Sequence, residues 1–223
     1  MGRFNNSSMA FLTTQSGGVF PYDGLYHYWK LDGDLSASTG TSLYDGNGVA
    51  GYTTGLMNQC LVFDNYYIQK RWDEIYDYSC ILLTDTTMTQ SIWVKITNNT
   101  QQGMYYQPIS GMGLYIDYEG KVRFISFNSG IEIQTTFNIP NNTWVHYVYQ
   151  MTPTNVKLYI NNVNYLDESG DWSVDWGINI NNGVTLSAPT QQIFYDECGV
   201  WGRILSTDEI TSLYNKGAGL QPV

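Results

Sequence analysis

Carboxylates come first, because a pair of them is the smallest apparatus that can hydrolyse a glycosidic bond. A retaining mechanism sets its acid and its nucleophile about 5 Å apart, a separation that alternate positions on one strand provide. Asp117-Tyr118-Glu119 comes nearest to such a string. Gly120 follows at once, so the pair reads as part of a hairpin turn. Asp73-Glu74 and Asp196-Glu197 are adjacent, and on a regular strand adjacent side chains point to opposite faces and cannot work on one substrate. The two histidines, His27 and His146, fall in strand-like segments, and no Ser or Cys nucleophile has an oriented base beside it. These residues predict no enzyme and no catalytic residue.

The other chemistry on offer is thiol and aromatic. Cys60, Cys80 and Cys198 are odd in number and lack metal-ligand spacing, which favours buried reduced thiols; a Cys60–Cys80 disulfide stays open. A sugar ring is recognised by stacking its apolar face on an aromatic plane while hydroxyls and amides take its hydroxyl groups. Trp72, Tyr76 and Tyr78 lie in one loop-like stretch, Trp172 and Trp176 in a second, and Tyr105 and Tyr106 form a third candidate. The competing reading is that these rings cover the ends of the fold or contact another protein. Trp93, Trp144 and Trp201 fall in strand patterns and are expected in the core.

The background to these residues is a 223-residue chain with 43% hydrophobic and 15% aromatic residues but only 13% charged ones. Charged residues typically make up about a quarter, so the polar surface here must come from amides and hydroxyls. The net charge of −10, with ten scattered Lys and Arg, argues against nucleic acid and against an anionic membrane surface. No apolar run has signal-peptide or membrane-spanning length, so folding in a cytoplasm is expected.

What positions the candidates is a period-two pattern. Residues 1–22, rich in Gly, Ser, Asn and Thr, read as a flexible N-terminal arm, and residues 23–223 as one domain. Ile92, Val94 and Ile96 alternate with Ser91, Trp93 and Lys95, a strand with its aliphatic face inward. Strands at 114–118 and 121–125 form a hairpin. A second hairpin turns at Asn161-Asn162, where Asn tolerates the positive φ of a tight type I′ turn. Further short strands at 26–31, 61–63, 67–69, 144–149, 156–160, 184–186 and 199–201 complete an all-β, two-sheet antiparallel jelly-roll sandwich. The chain also holds one short C-terminal helix. Ser206 and Glu209 form its capping box, Ile210, Leu213 and Tyr214 its apolar stripe, and Gly217 its stop; it is expected to lie on the sandwich and plug one edge.

The order of these pieces resembles the concanavalin A-like lectin/glucanase superfamily in its laminin G-like jelly-roll branch, from about Tyr26 to Gly219. Tyr28-Trp29-Lys30-Leu31-Asp32-Gly33, Cys60-Leu61-Val62-Phe63-Asp64, Ser91-Ile92-Trp93-Val94-Lys95 and Trp144-Val145-His146-Tyr147-Val148 are similar to strands of that family. Lys157-Leu158-Tyr159-Ile160-Asn161-Asn162 matches another, with Asn162 where the family has Gly. The most specific likeness is Tyr195-Asp196-Glu197-Cys198-Gly199-Val200-Trp201-Gly202-Arg203-Ile204-Leu205-Ser206, continuing through Glu209-Ile210 and Leu213-Tyr214-Asn215. The chain departs from the pattern after the first strand, where Ala37 or a neighbour stands in place of an Asp before Ser-Gly, and in the long aromatic stretch from Lys70 to Thr87.

The resemblance implies a Ca²⁺ ion as cofactor, with Asp196 as the matching ligand and Asp32 or Asp34 assisting. Asp196 could equally do no more than accept from nearby backbone N–H groups. In function, the resemblance and the absence of a secretion signal imply a non-enzymatic structural or decoration protein of a virion, that of a bacteriophage, whose domain faces outward and binds glycans. Its expected partners are a glycan and other virion proteins, the latter reached through the arm, in an oligomeric or repeated assembly. The alternative is a bacterial carbohydrate-binding module or lectin, extracellular or at a cell surface.

Overall fold

Alternating aliphatic residues pair into ladders wherever two such runs can meet, and here they build two stacked antiparallel sheets. A computed structural model of the chain describes residues 18–40, 42–45, 51–63, 74–76, 87–99, 103–109, 112–117, 119–126, 131–170, 172, 185–187 and 192–222. The first sheet runs in the order β14 (Val163–Ser169), β13 (Asn155–Ile160), β12 (Val145–Thr152), β7 (Met88–Ile96), β16 (Ile193–Trp201), β1 (Leu25–Trp29) and β2 (Ala37–Thr39). Strand β5 (Gln59–Phe63) also pairs with β16 and carries β4 (Gly51–Thr54). The second sheet runs β11 (Ile131–Asn138), β10 (Lys121–Ser126), β9 (Met112–Ile116), β8 (Gly103–Ile109), β15 (Thr185–Ser187), β6 (Glu74–Tyr76) and β3 (Tyr44–Asp45). This is the jelly-roll sandwich that the patterning predicts.

Between the sheets lie Ile92, Val94 and Ile96 from β7 and Leu114, Ile116, Val122 and Phe124 from β9 and β10, all buried. Each such aliphatic side chain contributes about 1.5–3 kcal/mol by leaving water, so this layer is the main source of stability. The other face of β7 is buried too. Helix α1 (Thr207–Tyr214) lies over it, and Ile210 and Leu213 form a second cluster with Tyr28, Val148, Trp201 and Phe20. Tyr28, Val148 and Trp201 belong to β1, β12 and β16, none of them the edge of the first sheet, so the helix lies on the sandwich as expected but covers the sheet's outer face and does not plug an edge.

The capping box forms as expected: Ser206 accepts from the Glu209 amide, and the Glu209 carboxylate accepts from the Ser206 amide at 2.8 Å. The helix ends two residues earlier than Gly217 suggests, because Asn215 already takes the left-handed conformation at φ 44°. In the β13–β14 hairpin, Asn161 and Asn162 both have positive φ, at 49° and 65°. Residues 18–22, grouped with the arm by composition, pack on the domain: Phe20 is buried edge-on to Tyr28, and the Pro21 carbonyl accepts from Trp201 Nε1 at 2.6 Å.

Strands β8 and β11 were not legible in the sequence, and β16 extends back to Ile193. The strand expected at 67–69 lies outside the described residues. Among the described residues no helix is long and apolar enough to cross a membrane.

Candidate functional site

The carboxylates converge at an irregularity in the longest ladder. Strand β16 pairs regularly with β7 up to Asp196, then slips register before Gly199, and Glu197 at the bulge has a left-handed φ of 52°. That turn of the backbone cancels the strand alternation. Asp196 and Glu197 therefore share a cluster with Asp32, one ligand-type oxygen from each lying within 4.8 Å of the others. The expectation that these neighbours must diverge is corrected by the bulge. Asp32 comes from the loop after β1, and the third partner is Glu197 where the sequence suggested Asp34. Asp34 is exposed and accepts from the Ser36 amide at 2.8 Å, a local turn apart from this group.

Two loops and one strap close around the cluster. Asp196 Oδ2 accepts from the amides of Leu56 and Met57 at 2.8 and 3.2 Å. The approach needs Gly55, where a Cβ would stand 2.6 Å from that oxygen and 2.5 Å from the Gln59 carbonyl. Asp32 accepts from the Gln59 amide at 3.0 Å and from Asn58 Nδ2 at 3.1 Å. Glu197 accepts from Tyr28 Oη and from Gln221 Nε2. Asp196 thus meets the backbone-accepting reading with one oxygen only. Its Oδ1 is buried and has no hydrogen-bond partner.

Burial pushes the Asp196 carboxyl up to about 7 against the amides of Met57 and Leu56, which lower it. Glu197 is raised to about 8, again by burial, against its bonds from Tyr28 and Gln221. The same surroundings lift the Cys60 thiol to about 12, through burial and then the charge of Asp196. Oxygen-only donors, with one buried oxygen unmatched and two carboxyls held back from ionising by burial, suit a hard divalent cation such as Ca²⁺, whose charge would favour their ionised forms. Asp32, Asp196 and Glu197 could hold it.

Cys60 and Cys198 are buried and outside any disulfide, and Cys80 lies outside the described residues. His146 is also fully buried: Nε2 meets Ser91 Oγ at 2.7 Å, and its ring packs against Trp93 and against Tyr214 of α1, which also touch each other. Burial lowers it to about 3, so it is a neutral structural imidazole.

Of the aromatic candidates, Trp172 is 2% exposed and packs edge-on to Phe124 in the core. So buried a ring is no surface platform; its backbone amide bonds the Pro153 carbonyl of the β12–β13 turn at 2.9 Å. Trp72, Tyr78 and Trp176 lie outside the described residues. Trp93 and Trp201 are buried as expected, but Trp144 precedes β12 and is only half-buried, with Lys95 5.0 Å from its ring.

The remaining tyrosines lie in ladders of the second sheet: Tyr106 pairs with Leu114, Tyr76 with Thr185 and Tyr44, and Thr185 with Gln107. Tyr105 lies at the irregularity between Met104 and Tyr106. On the outer face, Arg123 stands between Tyr115 and Gln134, all three partly or fully exposed. Asp117 organises them. It accepts from Arg123 Nε at 2.8 Å, from Gln134 Nε2 at 2.6 Å and from the amides of Glu119 and Lys121 at 2.8 and 2.9 Å. Burial pushes the Asp117 carboxyl up, but these bonds outweigh it and hold it below the usual range. Asp117 is thus an ionised structural anchor in its hairpin.

A family model described as the concanavalin A-like lectin/glucanases superfamily matches residues 75–211, more than half of the chain. Among solved structures, domain 4 of the extracellular arabinanase AbnA from Geobacillus stearothermophilus, in complex with arabinotriose, is similar. It is 17% identical, with a TM-score of 0.62, covering 88% of this chain and 98% of that one. The botulinum neurotoxin serotype D binding domain is 15% identical with a TM-score of 0.65, covering 86% of this chain and 52% of its own. The binding domain of Paraclostridial Mosquitocidal Protein 1 is 18% identical with a TM-score of 0.60, at 86% and 52% coverage. The chain thus spans about half the length of these toxin binding domains. No curated protein matches it.

Proposed function

This chain belongs to the concanavalin A-like lectin/glucanase superfamily, and from that premise we propose that it is a non-catalytic glycan-binding domain whose carboxylate cluster holds calcium. The observation that carries the reading is the unlike treatment of the two outer sheet faces. Helix α1 and residues 18–22 seal one, while the other presents Tyr115, Arg123 and Gln134 side by side. An aromatic plane beside a guanidinium fixed by Asp117 and a side-chain amide matches the mixed demand of a sugar ring. The arabinotriose complex of one structural neighbour supports the same ligand class.

A hydrolytic role is disfavoured by how the carboxylates are occupied. Asp117 is saturated by four donors, and Glu197 is covered by Tyr28 and Gln221. Calcium at Asp32, Asp196 and Glu197 would supply the positive charge that the buried Asp196 Oδ1 lacks, and would fix the loops after β1 and β4. Its contribution is stability and loop placement, with Asp196 and Glu197 supplied together by the bulge.

The setting we favour is the outer surface of a bacteriophage virion, where repeated copies would add avidity to weak sugar contacts. Cys60 and Cys198, buried and outside any disulfide, suit folding in a reducing cytoplasm. The experiment is a glycan array probed with the intact chain, with and without calcium. Specific binding to any oligosaccharide supports the reading, and no binding under both conditions refutes it. Stoichiometric presence in purified particles supports the virion setting, and presence only in cell lysate counts against it.

A further inference from the structure

The segment after the helix reaches back across the carboxylate cluster. Asn215 Nδ2 donates to the Gly219 carbonyl at 2.8 Å, and Gly219, at φ 70°, lies so close to the loop after β4 that a Cβ there would stand 2.9 Å from Met57 Cε. Tyr28 Oη, which bonds Glu197, is also 3.3 Å from the Leu220 carbonyl. Gln221 then donates through Nε2 to Glu197 and, at 3.4 Å, to Asp32 Oδ2. One side-chain amide therefore bridges two of the three clustered carboxylates, coming from a fourth element.

A carboxamide has a donor end and an acceptor end of nearly the same shape, and a half-turn about its last torsion exchanges them. Without a cation, the carboxylates select the N–H end. With a cation among them, the acceptor end is the favourable one. Resting on the calcium reading above, we propose that Gln221 turns its Oε1 to the cation as a fourth protein ligand, so that loading the site clamps residues 219–222 onto the bulge of β16. The alternative role for Gln221 is a neutral plug that the cation displaces, and it predicts the opposite motion of the strap.

The two are separated by hydrogen exchange of the amides of residues 217–221 in the intact chain, in chelator and in saturating calcium, alongside calorimetric titration. Clamping predicts slower exchange with calcium and about tenfold weaker calcium binding in Gln221→Ala. It also predicts that Gln221→Glu, which adds a fourth carboxylate, exchanges faster than the parent in chelator and regains protection in calcium. Faster exchange of the strap on calcium binding, or unchanged affinity in Gln221→Ala, overturns the clamp while leaving the calcium site standing. Absence of calcium binding by the parent chain overturns the site itself and the clamp with it.

Discussion

Asp196 and Glu197 are neighbours in sequence, yet their carboxylates meet in one cluster with Asp32, because Glu197 takes a left-handed φ of 52° at a bulge in β16. A regular strand would send one of them into the core and the other out. The bulge gives the concentration of negative charge, and burial holds both groups far from their ordinary ionisation, Asp196 at about 7 and Glu197 at about 8.

A cation that binds only the folded chain stabilises it by mass action. Calcium at one hundred times its Kd should add about 2.7 kcal/mol, which for a domain of this size raises Tm by roughly 5–10 °C. Chelator should reverse the shift. Asp32→Asn, which keeps the shape but removes one charge, should weaken calcium at least about tenfold by calorimetry. An identical Tm in chelator and calcium contradicts the site.

Trp172 makes a second, independent prediction. Its ring is buried against Phe124, so Trp172→Ala should cost about 3–5 kcal/mol in denaturant unfolding. Glycan affinity of the molecules that remain folded should be unchanged. Retained stability with lost glycan binding is the result that contradicts the core placement.

These two cases show what the sequence could carry. Asp32 and Asp196 were legible because a resembling family places oxygen ligands there, and the helix because Ser206 and Glu209 cap it locally. Glu197 was not, since a bulge is a property of the ladder between β16 and β7, and no residue type announces it. Trp172 escaped for a related reason. Its Asp- and Asn-rich surroundings look like a loop surface, while its burial depends on Phe124, nearly fifty residues away in sequence. Tyr105 and Tyr106 sit in a strand whose Gly and Pro residues hide its period.

Acid sensitivity follows from His146. Its folded-state value of about 3 lies below the ordinary 6.5, so the unfolded chain takes up a proton that the folded protein refuses. The neutral imidazole's contribution is complete above pH 6.5 and is lost as pH falls toward 3, by up to about 1.4 kcal/mol per pH unit. The stability difference between the parent chain and His146→Gln, measured by chemical denaturation from pH 7.5 to 5, should shrink below pH 6.5. A difference that stays constant across that range contradicts a buried neutral ring.

The helix that seals the first sheet depends on its capping box. Ser206→Ala removes the acceptor for the Glu209 amide and should cost about 1 kcal/mol. The same change should speed exchange of the α1 amides, with glycan binding unaffected. An unaltered unfolding midpoint would mean that the second cluster holds the helix without its cap.

Glycan binding at the open face of the second sheet is measured by calorimetric titration of one array-positive oligosaccharide into the parent chain and Tyr115→Ala. Loss of one stacking contact is worth about 1.4 kcal/mol, so Tyr115→Ala should bind about tenfold more weakly with an unchanged Tm. Equal affinity in the two proteins would place the sugar elsewhere and contradict it.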